Sequence, residues 1–552
     1  MSDEPTAAEL ADELLDVLAS EMPLMATFDN IAGHDHELRD VSEAGDARLR
    51  ERAVRIAGHA ARSTDPDRIT LGVVAHHAES LLTRLDARLS EFILADPMAA
   101  EGIGALSWLP QLAPSGEQAE EDYLARLSAF PEFFEALADR HRAGIEAGRT
   151  PVERAVRNAV DYLDRFLAAE PNPLVVPALT GDRMARRERL FTEKVRPALV
   201  AYREMLAHEI AGHGRPDDRP GLCWLEGGKK SYAGLVKTHT TTGVSAEELH
   251  RTGLEIGRAL DEEYRRLGAA VFGEDDPVAV RRRLRTDPSL RWRDADEMIT
   301  TATDAVARAT AAAPGWFRRV PSAECVVRAV PEADGPSAAQ AYYMPPSADG
   351  SRPGVYSTNA YRVTERFRFI AESVAFHEAV PGHHFQACVS FELEGVPRLR
   401  KLVPLSAFDE GWALYTERLA DEMGLYSDDI MRLGMVAEDS LRAARLVVDT
   451  GLHALGWTRQ QCVDYLTEHC VLSGVEVRSE TDRYIEWPGQ ALSYMTGRLE
   501  IQRLRALAED RLGEAFDIRD FHDVVLRHGQ VPLPVLGDVL REWVERVRLG
   551  RE

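Results

Sequence analysis

The sequence predicts a mainly α-helical chain with one small β element, and three observations carry that prediction. The first two hundred residues repeat an amphipathic pattern rich in Ala, Leu, Glu and Arg, which are strong helix formers. Helical patterning returns at about residue 362 and runs to the C-terminus. Between them, residues 324–360 alternate and carry β-branched side chains. At 552 residues, 45% of them hydrophobic, the chain exceeds one ordinary core. Two lobes or a large two-layer helical body is therefore expected.

The elements follow in order. Leu10, Leu14, Leu15 and Leu18 form one apolar stripe with acids on the opposite face. Segments near 49–62, 70–95, 118–147, 151–169 and 184–212 repeat the pattern. The stretch His213-Gly-Arg-Pro-Asp-Asp-Arg-Pro220 cannot continue a helix. It divides an N-terminal helical lobe, 1–215, from a second lobe, 216–552. A helix resumes at Ser245-Ala-Glu-Glu248, which has capping-box spacing, and Gly273-Glu-Asp-Asp-Pro277 is a loop. The run Arg281-Arg-Arg-Leu-Arg285 reads as a solvated helix face rather than an anion patch. Glu324-Cys-Val-Val-Arg-Ala-Val330 reads as a strand. Tyr342-Tyr-Met-Pro-Pro leads into the turn cluster Asp349-Gly-Ser-Arg-Pro-Gly354, and Val355-Tyr-Ser-Thr-Asn359 returns as a strand. A peptide can add to an exposed strand edge here, though a purely structural hairpin explains the segment equally well.

Bulk properties narrow the partners. A net charge of −25 repels nucleic acid and anionic membrane surfaces, so neither is expected as a partner. Five scattered cysteines without a CxxC pair argue against a disulfide framework or a cysteine-based metal site. The N-terminus is acidic and lacks a basic, apolar leader, and no apolar run of about twenty residues occurs. The cytoplasm is the default location. Oligomeric state is not encoded in any readable feature.

The chemistry concentrates in Glu372-Ser-Val-Ala-Phe-His-Glu-Ala-Val-Pro-Gly-His-His-Phe-Gln386, which places His377, Glu378, His383 and His384 within eight residues. In an HExxH helix, histidines at i and i+4 share a face and reach one ion. Here the i+4 position is Pro381, which cannot be a ligand. Proline breaks the helical bonding and Gly382 permits unusual backbone, so the pair acts as an insertion into HExxH. That brings His383 back toward His377. His384, at i+7 of an unbroken helix, would lie about 10 Å along the axis, which disfavours it as the second ligand. Glu378 is read as the proton-transferring base rather than a ligand. A third ligand is expected in Phe408-Asp-Glu-Gly-Trp-Ala-Leu-Tyr-Thr-Glu417. Glu410 is the first choice, because its apolar flanks carry it into a core. Asp409 and Glu417 are alternatives, or they orient a ligand histidine. Two histidines and a carboxylate suit one zinc ion per chain, with iron, manganese and cobalt compatible.

These motifs, HEAVPGHHFQ and DEGWALYTE, resemble the widespread bacterial family called domain of unknown function 885, grouped with helical HExxH metallopeptidases. Gly227-Gly-Lys-Lys-Ser-Tyr232, His239-Thr-Thr, Asp349-Gly-Ser-Arg-Pro-Gly354, Val448-Asp-Thr-Gly-Leu-His453 and Arg483-Tyr-Ile-Glu-Trp-Pro-Gly-Gln-Ala-Leu-Ser-Tyr494 resemble further family blocks. The resemblance covers most of the chain from about residue 30. It implies a metallopeptidase-like, mostly helical two-lobed body with a deep cleft, and a zinc site of His377, His383 and Glu410 with Glu378 as base. It supplies no substrate.

A peptide-bond hydrolase also needs a donor for the oxyanion. Tyr494 is the first candidate and His453 the second. Arg498 is a candidate for a substrate carboxylate, Asn359 for the substrate backbone, and His384 for a further substrate contact. The expected function is metal-activated hydrolysis of peptide or amide bonds in short peptides. A dedicated hydrolase of a non-peptidic amide or aminoacyl conjugate is the first rival. A non-catalytic, zinc-containing peptide-binding protein is the second.

Overall fold

The computed structural model describes residues 4–332, 335, 339–346 and 352–550. They are mainly helical, with one three-stranded sheet. Contacts divide the chain into two units. The first is Met1–Thr238, Gly451–Cys462 and Ser479–Pro488; the second is His239–Thr450, Val463–Arg478 and Gly489–Glu552.

The first unit is built from the amphipathic helices. Ala7–Glu21 starts in a capping box between Thr6 and Glu9 and buries Leu10, Leu14, Leu15 and Val17, while Leu18 is half-buried. Glu43–Arg62, Arg68–Ala87, Glu117–Glu146 and Glu153–Ala168 follow. The helix expected over 70–95 ends at Ala87, because Arg88 turns left-handed at φ 52°. The stretch 183–210 stays helical but contains two π-turns, Phe191–Val195 and Leu206–Ile210. The proline-rich loop after His213 does not mark the division expected at 215. Arg215 N–H donates to Pro151 O and Arg215 O accepts from Glu153 N–H, which stitches the loop into the first unit.

In the second unit, Ser245 caps helix Ala246–Phe272 by accepting from Glu248 N–H, and Gly273 ends it at φ 67°. The arginine run lies on helix Pro277–Thr286, where Arg282 and Arg283 are exposed as expected. Arg281 departs from that expectation: it is buried, paired with Asp261 and set over the Tyr264 ring.

The sheet comprises β1 (Cys325–Ala329), β2 (Ala341–Met344) and β3 (Gly354–Thr358), in the order β1-β3-β2. β1 and β3 are parallel, Cys325 opposite Gly354 through Ala329 opposite Thr358. β2 and β3 are antiparallel, Ala341 opposite Thr358 through Met344 opposite Val355. The hairpin is thus formed by β2 with β3, and the first expected strand adds in parallel along the other edge of β3. A parallel pair needs a long connection, and the segment expected only to lead into a turn supplies it and forms a strand of its own. Asp349, Gly350 and Ser351 of the expected turn cluster lie outside the described residues.

Five helices carry the site: α1 (Ala371–Glu378), α2 (His383–Glu392), α3 (Ser406–Glu422), α4 (Asp429–His453) and α5 (Ser493–Leu512). β2 packs against α1 and α2, and α3 packs closely on α5. That last contact depends on two glycines. A Cβ on Gly411 would stand 2.4 Å from Gly497 Cα, and one on Gly497 would stand 1.8 Å from Ala407 O. Without side chains at these positions the two backbones touch.

Candidate metal centre

The break between α1 and α2 follows from three residues. Ala379 (φ −109°, ψ −102°) and Gly382 (φ −78°, ψ −131°) leave the helical region, and Pro381 cannot donate a backbone bond. A Cβ on Gly382 would lie 1.8 Å from His377 O, so only glycine lets the chain double back over the end of α1. Trp412 Nε1–H donates to Pro381 O at 3.0 Å and ties the break to α3. The result sets the His383 ring beside that of His377, centroids 4.8 Å apart and planes at 88°.

Glu410, at the start of the second turn of α3, faces both rings. Its Oε2 lies 3.5 Å from His377 Nε2 and 3.4 Å from His383 Nε2. Among the described residues, these three side chains form the one cluster of His, Cys, Asp or Glu whose donor atoms, all within 4.8 Å of one another, could hold an ion. The spacing is long for a hydrogen bond. It does match a tetrahedral ion, whose ligands at 2.0–2.1 Å stand about 3.3–3.4 Å from each other. Glu410 Oε2 is also buried with no hydrogen-bond donor, a costly state that a bound cation would relieve. Two imidazoles and one carboxylate fit zinc.

Asp409 and Glu417, both on α3, support the histidines instead of replacing Glu410. His377 Nδ1–H donates to Glu417 Oε1 at 2.8 Å, which leaves Nε2 with its lone pair toward the donor set. Ser373 Oγ–H donates to the other oxygen of Glu417 at 2.5 Å. Asp409 Oδ1 stands 3.7 Å from His383 Nδ1, an ion-pair distance.

The charges respond accordingly. Burial works against a charged His383, but Asp409 and Glu410 outweigh it and raise the ring well above its usual pKa. His377 is likewise raised, burial being overcome by Glu410 and Glu417. Glu410 is held well below the carboxylate range, because the two histidines outweigh its burial. Glu378 moves the other way. Burial raises it, against His377, His383 and Arg442, and a raised carboxylate is a better proton acceptor.

Tyr494, at the start of α5, lies parallel to His377, with ring centroids 6.5 Å apart and planes at 17°. The guanidinium groups of Arg445 and Arg442 lie 4.6 and 5.9 Å from its centroid. Sequence reasoning missed these arginines. Their signal was two cations three residues apart, flanked directly by Leu441, Ala443, Ala444 and Leu446.

Four expected site residues are placed elsewhere. His384 turns away from the donor set: its Nε2–H donates to Ala323 O at 2.9 Å and its Nδ1 meets Tyr343 Oη at 3.0 Å. It is buried against β3, where a Cβ on Gly354 would fall 2.4 Å from its Nδ1. His383 is therefore the histidine that joins His377, and His384 is not a substrate contact. Asn359 is fully buried and its amide is committed, donating to Gly335 O and Ala339 O and accepting from Tyr361 N–H. Arg498 is buried in an ion pair with Asp439, which also holds Arg418. His453 belongs to the first unit, where its Nδ1 accepts from Leu222 N–H and its Nε2–H donates to Tyr484 O. With both nitrogens occupied and no exposure, it is no oxyanion donor.

No described helix is long and apolar enough to cross a membrane. A family model described as bacterial protein of unknown function, DUF885, matches residues 23–540. The crystal structure of the "putative lipoprotein" from Colwellia psychrerythraea superimposes with a TM-score of 0.90 at 26% identity, covering 98% of this chain and all of that one. A "putative lipoprotein of unknown function" from Shewanella oneidensis shares the fold at a TM-score of 0.77 and 17% identity, with coverage of 97% and 100%. No curated protein matches the sequence. The paired HEAVPGHH and DEGWALYTE segments and a match over nearly the whole length give one conclusion: the chain belongs to the DUF885 family.

Proposed function

We propose that the chain is a zinc-dependent hydrolase of peptide or amide bonds in short peptides. One observation carries the reading. The Glu410 carboxylate oxygen, buried and without a hydrogen-bond donor, stands 3.5 and 3.4 Å from Nε2 of His377 and His383, while Glu378, next in sequence to His377, is outside the donor set. The metallopeptidase-like character that the family resemblance implies belongs to the same proposal. Location does not. The sequence favours the cytoplasm, whereas both structural neighbours carry the description "putative lipoprotein".

His377, His383 and Glu410 would hold the ion. When bound, zinc supplies Lewis acidity that polarises a carbonyl and acidifies water. Glu378, with its raised proton affinity, takes the proton of the attacking water and later delivers it to the leaving amine. Glu417 and Asp409 keep the two imidazoles aimed at the ion. Tyr494, next to His377, is the side chain best placed to donate to the developing oxyanion.

The test is metal analysis of the wild type beside His377→Ala and Glu410→Ala, with a mixed short-peptide digest read by mass spectrometry. About one zinc per chain, lost in both variants, together with cleaved peptides, is expected. Zinc without cleavage moves the reading to a dedicated hydrolase of a small amide. No metal after zinc is supplied sinks it. Glu378→Gln should keep the zinc and lower turnover by roughly 10²–10⁴-fold.

A further inference from the structure

We propose that Arg442 anchors a free carboxylate on the substrate, so that the site cleaves the amide bond beside a C-terminal carboxylate. The proposal rests on the hydrolase reading above and supplies its end-specificity.

α4 carries Arg442 and Arg445 one turn apart past Tyr494, whose ring is the neighbour of His377. A single aromatic ring thus separates the Arg442 guanidinium from the first metal ligand. Arg442 is only 9% exposed, and a cation that deep is ordinarily fully paired. This one is not. Its Nη1 reaches Glu438 one turn back on the same helix, but its Nε is buried and meets no acceptor among the described residues. A guanidinium presents its N–H groups as a planar fork. With Nη1 taken, the Nε edge remains for an incoming carboxylate, which such an edge binds through parallel hydrogen bonds.

Two other buried or half-buried arginines bind protein carboxylates. Arg498 and Arg418 share the buried carboxylate of Asp439, and Arg418 also holds Glu263. The protein as a whole carries −25 and repels anions. A cation beside the Tyr494 ring is a local exception to that field.

An anchor for the C-terminal carboxylate asks for one residue of reach. In a peptide with a free C-terminus, the carboxylate sits on the Cα attached to the last scissile nitrogen, and successive Cα atoms are 3.8 Å apart. Water adds across that amide and the C–N bond breaks. The acyl half leaves as a carboxylic acid. The amine half takes the proton from Glu378 and departs as an amino acid still held by Arg442. An aminopeptidase would instead need an acidic anchor for its substrate's ammonium.

The test uses the zinc-loaded full chain and tripeptides differing only in a C-terminal acid or amide. Wild type should favour the acid by about 100-fold in kcat/KM, the usual scale for a buried charge-assisted pair. Arg442→Met, similar in length but uncharged, should reduce that ratio to a few-fold, with the loss falling mainly in KM and with zinc retained. Arg442→Lys should fall between them, since an ammonium lacks the fork. Equal rates on acid and amide in the wild type overturn the anchor, as does a ratio that survives in Arg442→Met. If no peptide is cleaved, calorimetry with an N-acetyl amino acid and its amide separates the two claims. Acid-selective binding lost in Arg442→Met keeps the anchor and overturns the peptidase reading. Equal or absent binding of both overturns the anchor.

Discussion

Gly411 on α3 and Gly497 on α5 meet backbone to backbone: a side-chain carbon on Gly411 would lie 2.4 Å from Gly497 Cα. Glu410 immediately precedes the first glycine, and Tyr494 lies three residues before the second. The contact therefore sets the distance between a metal ligand and the candidate oxyanion donor.

Gly497→Ala tests this. Its methyl would fall 1.8 Å from Ala407 O, and backbone cannot yield as a side-chain tip can. Overpacking of this kind costs about 1–3 kcal/mol or more. Thermal unfolding should show that loss, and zinc affinity should fall with it because Glu410 shifts. A variant of unchanged melting temperature would mean that the helices are not in contact.

Gly382→Ala should act on the donor set more than on the fold. A Cβ there meets His377 O at 1.8 Å, so α2 cannot begin at His383 in its present direction. The expected result is a folded protein, by circular dichroism, that holds less than one zinc per chain. Full zinc content would show that the break tolerates a side chain.

Glu417→Gln keeps the shape but removes the charge behind His377. Loss of such support commonly costs 10–100-fold in metal affinity. Competition with a chelating dye should show a drop of that order with little change in unfolding temperature. Unchanged affinity would reduce Glu417 to a packing role.

The pH dependence has a definite sign. In the metal-free protein His383 is raised above its reference 6.5, so its contribution to stability is complete below that value and is lost as pH rises through the folded-state pKa. Glu410 is lowered from 4.5, so its contribution is present above that value and is lost as pH falls through its depressed pKa. The apo cluster is therefore most stabilising between about pH 4.5 and 6.5. Zinc must displace the histidine protons, so the zinc-induced rise in melting temperature should grow from pH 5.5 to 7.5. A zinc effect that is flat across that range would contradict the arrangement.

How much of this was legible depended on where the constraint lay. The convergence of His377 and His383 was written in Pro381 and Gly382, because local backbone chemistry governs that break. Glu410 was legible as an acid in an apolar run. His453, Asn359 and Arg498, read as oxyanion donor, backbone contact and carboxylate partner, were not legible. Each satisfies itself on internal partners, and sequence does not distinguish that from a site. The parallel pairing of β1 with β3 was not legible, since register between strands about thirty residues apart is set by tertiary packing. Arg442 was missed because its role depends on Tyr494, fifty-two positions away in the sequence.

His383 and His384 are consecutive, yet they point to opposite tasks: one toward Glu410, the other onto Tyr343 of β2 and the carbonyl of Ala323. The first turn of α2 is thus clamped at both ends within a single peptide unit. The sheet and the ligand set behave as one mechanical piece, in which the strand serves as the splint of the metal ligand. Loosening Tyr343 would be felt first as play in His383, before any loss of the fold itself.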